Sequence, residues 1–282
     1  MTNILESILQ QKRLEVAEAA MRKPLSKLQQ EASKVKAPLK FSNALKTKEF
    51  PAIIAEIKRA SPSKGNFRPE LDPIEAAASY VRGGATCISI LTDEKYFNGS
   101  LEFVSRIKEK FSEIPLLRKD FIYHPYQIWQ AKAAGADAVL LIVAALSTEE
   151  LKFLIETTLE TDLDILIEVH NEKEITTAVK VIEETNFYAS KTEIMLGVNN
   201  RNLVDFTLDL NTAARLINFA KDKLFNEKVN LDSTVFVAES GIKNHSDLLQ
   251  MKAAGVTAFL VGESLVMQGD LEENLKNLIC QN

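Results

Sequence analysis

From residue 52 onward, eight short apolar runs alternate with longer stretches whose apolar residues recur at three- and four-residue steps. The runs are Ala52–Lys58, Thr86–Leu91, Pro115–Lys119, Asp137–Val143, Asp164–Val169, Ile194–Asn199, Thr234–Glu239 and Thr257–Val261. Between them, sets such as Ile128, Trp129, Ala131 and Ala134, or Leu151, Leu154, Ile155 and Leu159, carry the helical period. Strand-helix alternation implies a mostly parallel sheet covered by helices. Three junctions are alike: Tyr80–Ala85, Ala131–Ala136 and Met251–Val256 each end a helix at a glycine suited to a left-handed cap and lead through a small residue into a strand. An open doubly wound sheet also satisfies the alternation, but eight units in 282 residues favour an α/β chain closed into a (β/α)8 TIM barrel. No linker rich in Gly, Ser or Pro interrupts the pattern, so residues 1–282 read as one barrel domain, with residues 1–50 a helical extension packed on it.

In that extension Ile4, Leu5, Ile8 and Leu9 recur at helical spacing with Glu6, Lys12, Arg13, Glu15 and Glu18 among them, which makes an amphipathic helix and not a signal peptide. A second short helix starts near Pro24, and Pro38 and Pro51 bracket the approach to the first strand. With 34 basic against 39 acidic residues and a net charge of −5, the chain lacks the basic surface that grips nucleic acid or anionic lipid. Its longest uninterrupted apolar run, Ala138 to Leu146, falls far short of the roughly 20 residues that span a bilayer. Cys87 and Cys280 cannot build a disulfide framework, and with His124, His170 and His245 they show no metal-site spacing. The expectation is a reduced, cytoplasmic, metal-free protein that works on small molecules.

Side chains alternate along a strand, so the polar residues sharing an interior face can be read off. Ile54, Glu56 and Lys58 share one face of the first run, Leu117 and Lys119 of the third, and Leu166, Glu168 and His170 of the fifth. Gly197 and Asn199 share one in the sixth, and Val235, Val237 and Glu239 in the seventh. Glu56, Lys58, Lys119, Glu168 and Glu239 thus converge on the carboxyl ends of the strands, the catalytic end of such barrels. An unpaired buried ion there would cost several kcal/mol, so three carboxylates and two ammoniums point to general acid and base work. A lysine beside another cation is expected to have a depressed pKa, and a carboxylate in apolar surroundings a raised one.

Gly241 and Gly262 follow the seventh and eighth strands, where loops of many barrels build a phosphate site from backbone N–H groups. The segment Arg59 to Pro73, with Pro62, Pro69, Pro73 and Gly65, reads as an irregular substrate loop or lid. The stretch Phe219 to Ser233 precedes the seventh strand on the opposite, stability face and carries no chemistry.

Six motifs carry a resemblance. Ile54-Ala-Glu-Ile-Lys-Arg-Ala-Ser-Pro-Ser-Lys-Gly65, Leu91-Thr-Asp-Glu-Lys-Tyr-Phe-Asn-Gly-Ser100, Leu117-Arg-Lys-Asp-Phe121, Leu166-Ile-Glu-Val-His170, Gly197-Val-Asn-Asn-Arg-Asn-Leu203 and Ala238-Glu-Ser-Gly-Ile242 stand in order, each at a strand end. Together they resemble the indole-3-glycerol phosphate synthases of tryptophan biosynthesis over essentially the whole chain. The resemblance implies a barrel that closes the pyrrole ring of 1-(2-carboxyphenylamino)-1-deoxyribulose 5-phosphate with loss of CO2 and water, without metal or organic cofactor. It makes Lys119 the general acid, Glu168 the base of the later dehydration, Lys58 a substrate-binding lysine and an alternative proton donor, and Glu56 the carboxylate that orients the lysines. Glu239 and Ser240 become the active-site pair of the seventh strand, and Asn199 and Arg201 substrate contacts. Ser61 becomes a carboxylate contact, Phe97, Phe121 and Leu140 apolar walls, and Gly241, Gly262 and Glu263 phosphate ligands through backbone. A monomer is implied, with a weak dimer as the alternative. Asn186 to Glu193 and Phe219 to Ser233 are longer than the family pattern, on the side away from the chemistry.

Other readings of the same barrel are a Schiff-base aldolase using an interior lysine, and a phosphate-binding barrel without catalysis. A phosphoribosylanthranilate isomerase is expected to use a cysteine and an aspartate, and the strand-one end here carries Glu56 and Lys58 instead.

Overall fold

The computed structural model describes residues 4–280 apart from 63, 186, 188–189, 202–206, 227–233 and 268. Three helices come first: α1 (Ile4–Arg22), α2 (Leu25–Ala32) and α3 (Phe41–Thr47). Eight parallel strands then close into a barrel, β1 (Ala52–Ile57), β2 (Cys87–Leu91), β3 (Leu116–Lys119), β4 (Ala138–Ile142), β5 (Asp164–Val169), β6 (Ile194–Asn199), β7 (Val235–Glu239) and β8 (Ala258–Val261). Each pairs with the next, and β8 pairs with β1 through Ile54 opposite Leu260. Helices α4 (Pro73–Gly83), α5 (Glu94–Phe97), α6 (Leu101–Lys110), α7 (Pro125–Ala134), α8 (Thr148–Leu159), α9 (Glu172–Glu183), α10 (Asn211–Asn226), α11 (His245–Ala253), α12 (Glu263–Val266) and α13 (Leu271–Ile279) fill the connections.

Every apolar run of the sequence contains one barrel strand, because both faces of a parallel strand are buried. Ile54, Leu117, Leu140, Leu166, Met195, Val237 and Leu260 pack inside the barrel. Their neighbours Ile53, Ile88, Val139, Ile167, Val198 and Phe259 pack outward under the helices. The repeated junctions have the expected geometry: Gly84, Gly135 and Gly255 adopt φ of 91°, 85° and 85°, the left-handed region where a Cβ is unfavourable. Asp72, Ser147 and Asn171 cap the starts of α4, α8 and α9 by accepting backbone N–H bonds.

The extension does more than lie on the barrel. Phe41 and Leu45 of α3 join the interior cluster and stopper the amino-terminal end of the strands. Two buried aspartates hold that stopper: the Ser42 N–H donates to Asp164 Oδ2 at 3.0 Å, and the Leu39 N–H to Asp137 Oδ1 at 2.7 Å. The sequence reading has only an approach between Pro38 and Pro51; a two-turn helix with Phe41 and Leu45 as its inward residues is too short to display a period.

One further reading is corrected. Arg59 to Pro73 is not irregular throughout, since Ala60–Ser61 pairs antiparallel with Gly65–Asn66 in a hairpin whose turn uses Gly65 at φ 66°. Of the stretch Phe219 to Ser233, Phe219 to Asn226 forms the last part of α10, whereas residues 227–233, like 186 and 188–189, lie outside the described residues. Near the latter, Lys191 O accepts from Lys40 Nζ at 2.7 Å and Glu193 pairs with Lys46, so this segment helps hold the extension. Among the described residues no helix is long and apolar enough to cross a membrane.

If α3 is a structural stopper, Phe41→Ala should lower the free energy of unfolding by about 3 to 5 kcal/mol, read from urea denaturation, because Phe41 is fully buried and the space it leaves cannot refill. A loss comparable to that of an exposed surface substitution would refute the assignment.

Candidate active site

At the carboxyl ends of the strands a cavity of about 380 Å³ opens, and every site residue named from the sequence lines it. Two glycines make room for its carboxylates. A Cβ at Gly197 on β6 would collide with the Glu239 carboxylate, and one at Gly262 after β8 with that of Glu56. Both interior charges therefore depend on a neighbouring strand that shows only backbone.

Lys119 ends β3 and reaches across the barrel. Its Nζ lies 3.0 Å from Glu168 Oε2 and 3.2 Å from Glu239 Oε2. Burial alone would pull the ammonium pKa down, but Glu168, Glu239 and Glu56 together hold it well above the ordinary lysine value. The expected depression is thus reversed at Lys119, because its nearest charged neighbours are anions and not another cation. Glu168 departs from expectation in the same sense: burial would raise its pKa, yet Lys119, His170 and Asn199 keep it well below the carboxylate range. Asn199 Nδ2 donates to Glu168 Oε1 at 3.0 Å, a bond made between the adjacent strands β5 and β6.

Glu239 is the carboxylate that behaves as expected. Burial, aided by Glu168 and Glu56 and opposed by Lys119, pushes its pKa up to about 8. One cluster therefore holds an ammonium, a carboxylate that stays ionised and a carboxyl that keeps its proton near neutrality, which separates acid and base roles by environment alone.

The rest of the cavity is divided by character. Lys58 Nζ stands 5.6 Å above the Phe97 ring and 3.7 Å from Glu56 Oε2, and Phe97 meets Phe121 with ring centroids 5.9 Å apart. Leu140 and Ile142 extend this apolar wall. On the other side, Ser240 and Gly241 both take positive φ, 66° and 86°, in the turn after β7. Asn200 stitches that turn to its neighbours: its Nδ2 donates to Ser240 O at 3.0 Å and its Oδ1 accepts from the Ala213 N–H at 2.9 Å. Glu263 bridges two loops through Lys64 Nζ at 2.6 Å and Arg201 Nη2 at 3.4 Å.

Sequence reasoning missed one wall. Ile4, Leu5 and Ile8 of α1 line the cavity, so the first helix is part of the site. It is fixed by Lys12, which is 3% exposed and has Nζ 2.8 Å from Asp93 Oδ2 and 3.1 Å from Asp120 Oδ1. Arg118 completes the network through Asp120 Oδ2 at 2.9 Å. Ile8, Lys12 and Val16 recur every four residues on the buried face, so the signal was a lysine placed on the apolar stripe. Its partners after β2 and β3 were not visible from α1 alone.

The family model for indole-3-glycerol phosphate synthase matches residues 5–278. The chain belongs to the indole-3-glycerol phosphate synthase family. The protein of that name from Microcystis aeruginosa is 41% identical over 95% of this chain and 86% of its own. That from Trichodesmium erythraeum is 42% identical over 99% and 90%. The solved structure of a 3-hexulose-6-phosphate synthase superposes with a TM-score of 0.59 over 80% of this chain and 97% of that one, at 16% identity, which shows the shared barrel alone. Membership makes this chain a carboxy-lyase of tryptophan biosynthesis.

Glu239 yields a pH test. An unfolded glutamate ionises near 4.5 and this one near 8, so its contribution to stability is complete below the lower value and lost as pH rises through the upper one. Glu239→Gln removes that loss. The variant should gain stability relative to the parent between pH 5 and pH 8.5, by on the order of a few kcal/mol in paired urea melts. A difference that stays flat with pH contradicts the assignment.

Proposed function

We propose that this chain closes the pyrrole ring of 1-(2-carboxyphenylamino)-1-deoxyribulose 5-phosphate, with Lys119 as general acid and Glu168 as general base. The observation that carries the reading is the Lys119 ammonium held 3.0 Å from Glu168 and 3.2 Å from Glu239 at the floor of the cavity, beside the apolar wall of Phe97, Phe121 and Leu140. As the ring carbon bearing the carboxylate attacks the ketone, Lys119 protonates the developing oxyanion and the new carbon–carbon bond leaves a hydroxyl behind. Loss of CO2 returns the bonding pair to the ring. Phe97, Phe121 and Leu140 favour that step, because they solvate the departing carboxylate poorly. The hydroxyl then takes a proton from Lys58 and leaves as water while Glu168 removes the proton of the adjacent carbon, forming the ring double bond of indole-3-glycerol phosphate.

Lys58 and Ser61 contact the substrate carboxylate, Asn199 and Arg201 the sugar, and Gly241, Gly262 and Glu263 the phosphate through backbone N–H groups. Glu56 orients Lys58, and Glu239 with Ser240 closes the seventh-strand side. A Schiff-base mechanism at Lys119 is disfavoured, since it needs a neutral amine and the acidic groups around it, Glu168 first, keep this one charged. The reading includes a cytoplasmic monomer with a small-molecule substrate and no nucleic-acid partner, in keeping with the net charge of −5.

Lys119→Met should reduce indole-3-glycerol phosphate formation, followed by absorbance, by on the order of 100-fold or more while substrate binding persists in weakened form. Glu168→Gln should release CO2 and accumulate the hydroxylated species before dehydration. Turnover in Lys119→Met equal to that of the parent sinks the mechanism.

A further inference from the structure

Behind Glu168 stands a group that the mechanism leaves unused. His170 follows β5 directly, and its side chain, 9% exposed, is not part of the cavity wall. Nε2 lies 3.1 Å from Glu168 Oε1, and Nδ1 lies 3.1 Å from Glu174 Oε2 in the first turn of α9. Glu174 is itself fixed three times over. Its Oε2 accepts the His170 N–H at 2.8 Å, its Oε1 accepts Asn171 Nδ2 at 2.6 Å, and its own N–H donates to Asn171 Oδ1 at 3.0 Å. The strand end, the helix start and the imidazole therefore form one rigid unit.

We infer that His170 is the positioning residue of the general base: clamped by Glu174, its ring stands against the rear of Glu168 and holds that carboxylate toward the substrate. This rests on the role of Glu168 given above. The arrangement carries the logic of a catalytic base oriented by a third group, with carboxylate and imidazole exchanged in order. Both oxygens of Glu168 are then engaged, Oε2 by the hydrogen bond from Lys119 and Oε1 by that from Asn199, with His170 Nε2 at ion-pair distance, 3.1 Å, behind Oε1, which restrains the carboxylate when a proton must be taken in the dehydration step. The charges that bear on His170 are Glu168 from its own strand and Glu174 from α9, while Glu172 beside them is occupied by Arg215 of α10. Burial alone would lower the imidazole pKa, but the two carboxylates push it up to about 10, so the ring is charged throughout the neutral range.

The test has two arms. Proton NMR of the three histidines of the intact protein should show His170 unchanged up to about pH 9, with a midpoint near 10, and Glu174→Gln should bring that midpoint down. In steady-state assays with the ribulose phosphate substrate, His170→Ala should lose on the order of 10- to 100-fold in kcat with KM altered by less than about threefold. Single turnover should place the loss after CO2 release, and His170→Gln, which keeps a polar N–H group beside Glu168, should recover most of it. A wild-type midpoint near 6.5, or His170→Ala with kcat within about twofold of the parent, overturns the inference. If the wild type fails to turn over the substrate, the proposed activity falls instead, and the titration still decides the state of His170.

Discussion

The arrangement turns on one ammonium shared by two carboxylates inside a closed ring of strands. Lys119, Glu168 and Glu239 come from three different strands, and the buried charges of Lys119 and Glu168 offset one another. A barrel built for stability alone would fill this layer with Val and Ile. Here the layer below is apolar, through Ile54, Leu117, Leu140 and Leu166, and the charged layer rests on it with glycines at 197 and 262 clearing the space. The low dielectric that makes the cluster expensive also separates the proton affinities of Glu168 and Glu239.

Much of this was legible in the sequence because it follows from local rules. Short continuous apolar runs located the eight strands and period-3.6 patterns the helices around them, and Gly84, Gly135 and Gly255 marked helix ends by a requirement that only their own backbone imposes. Strand alternation was enough to bring Glu56, Lys58, Lys119, Glu168 and Glu239 to one mouth, since the side facing inward is decided by parity once the strand is known.

What escaped depends on contacts between distant parts of the chain. The ionisation of Lys119 is decided by which charge stands nearest after the barrel closes, and residue type alone suggested the opposite direction. Lys12 looked like one polar residue among several on α1, although Asp93 and Asp120, both far along the chain, draw it into the interior. The wall formed by Ile4, Leu5 and Ile8 follows from that pairing. Helix α3 and the hairpin at Ala60 to Asn66 were missed for a different reason, being too short to show a period.

The plug of Phe41 and Leu45 at the lower rim has a further effect on traffic through the molecule. With that end filled by Phe41 and Leu45, the cavity among the described residues opens at the other end, beside the first helix and the hairpin. A gas molecule set free at the floor would therefore share that doorway with water, with the incoming reactant and with the finished product.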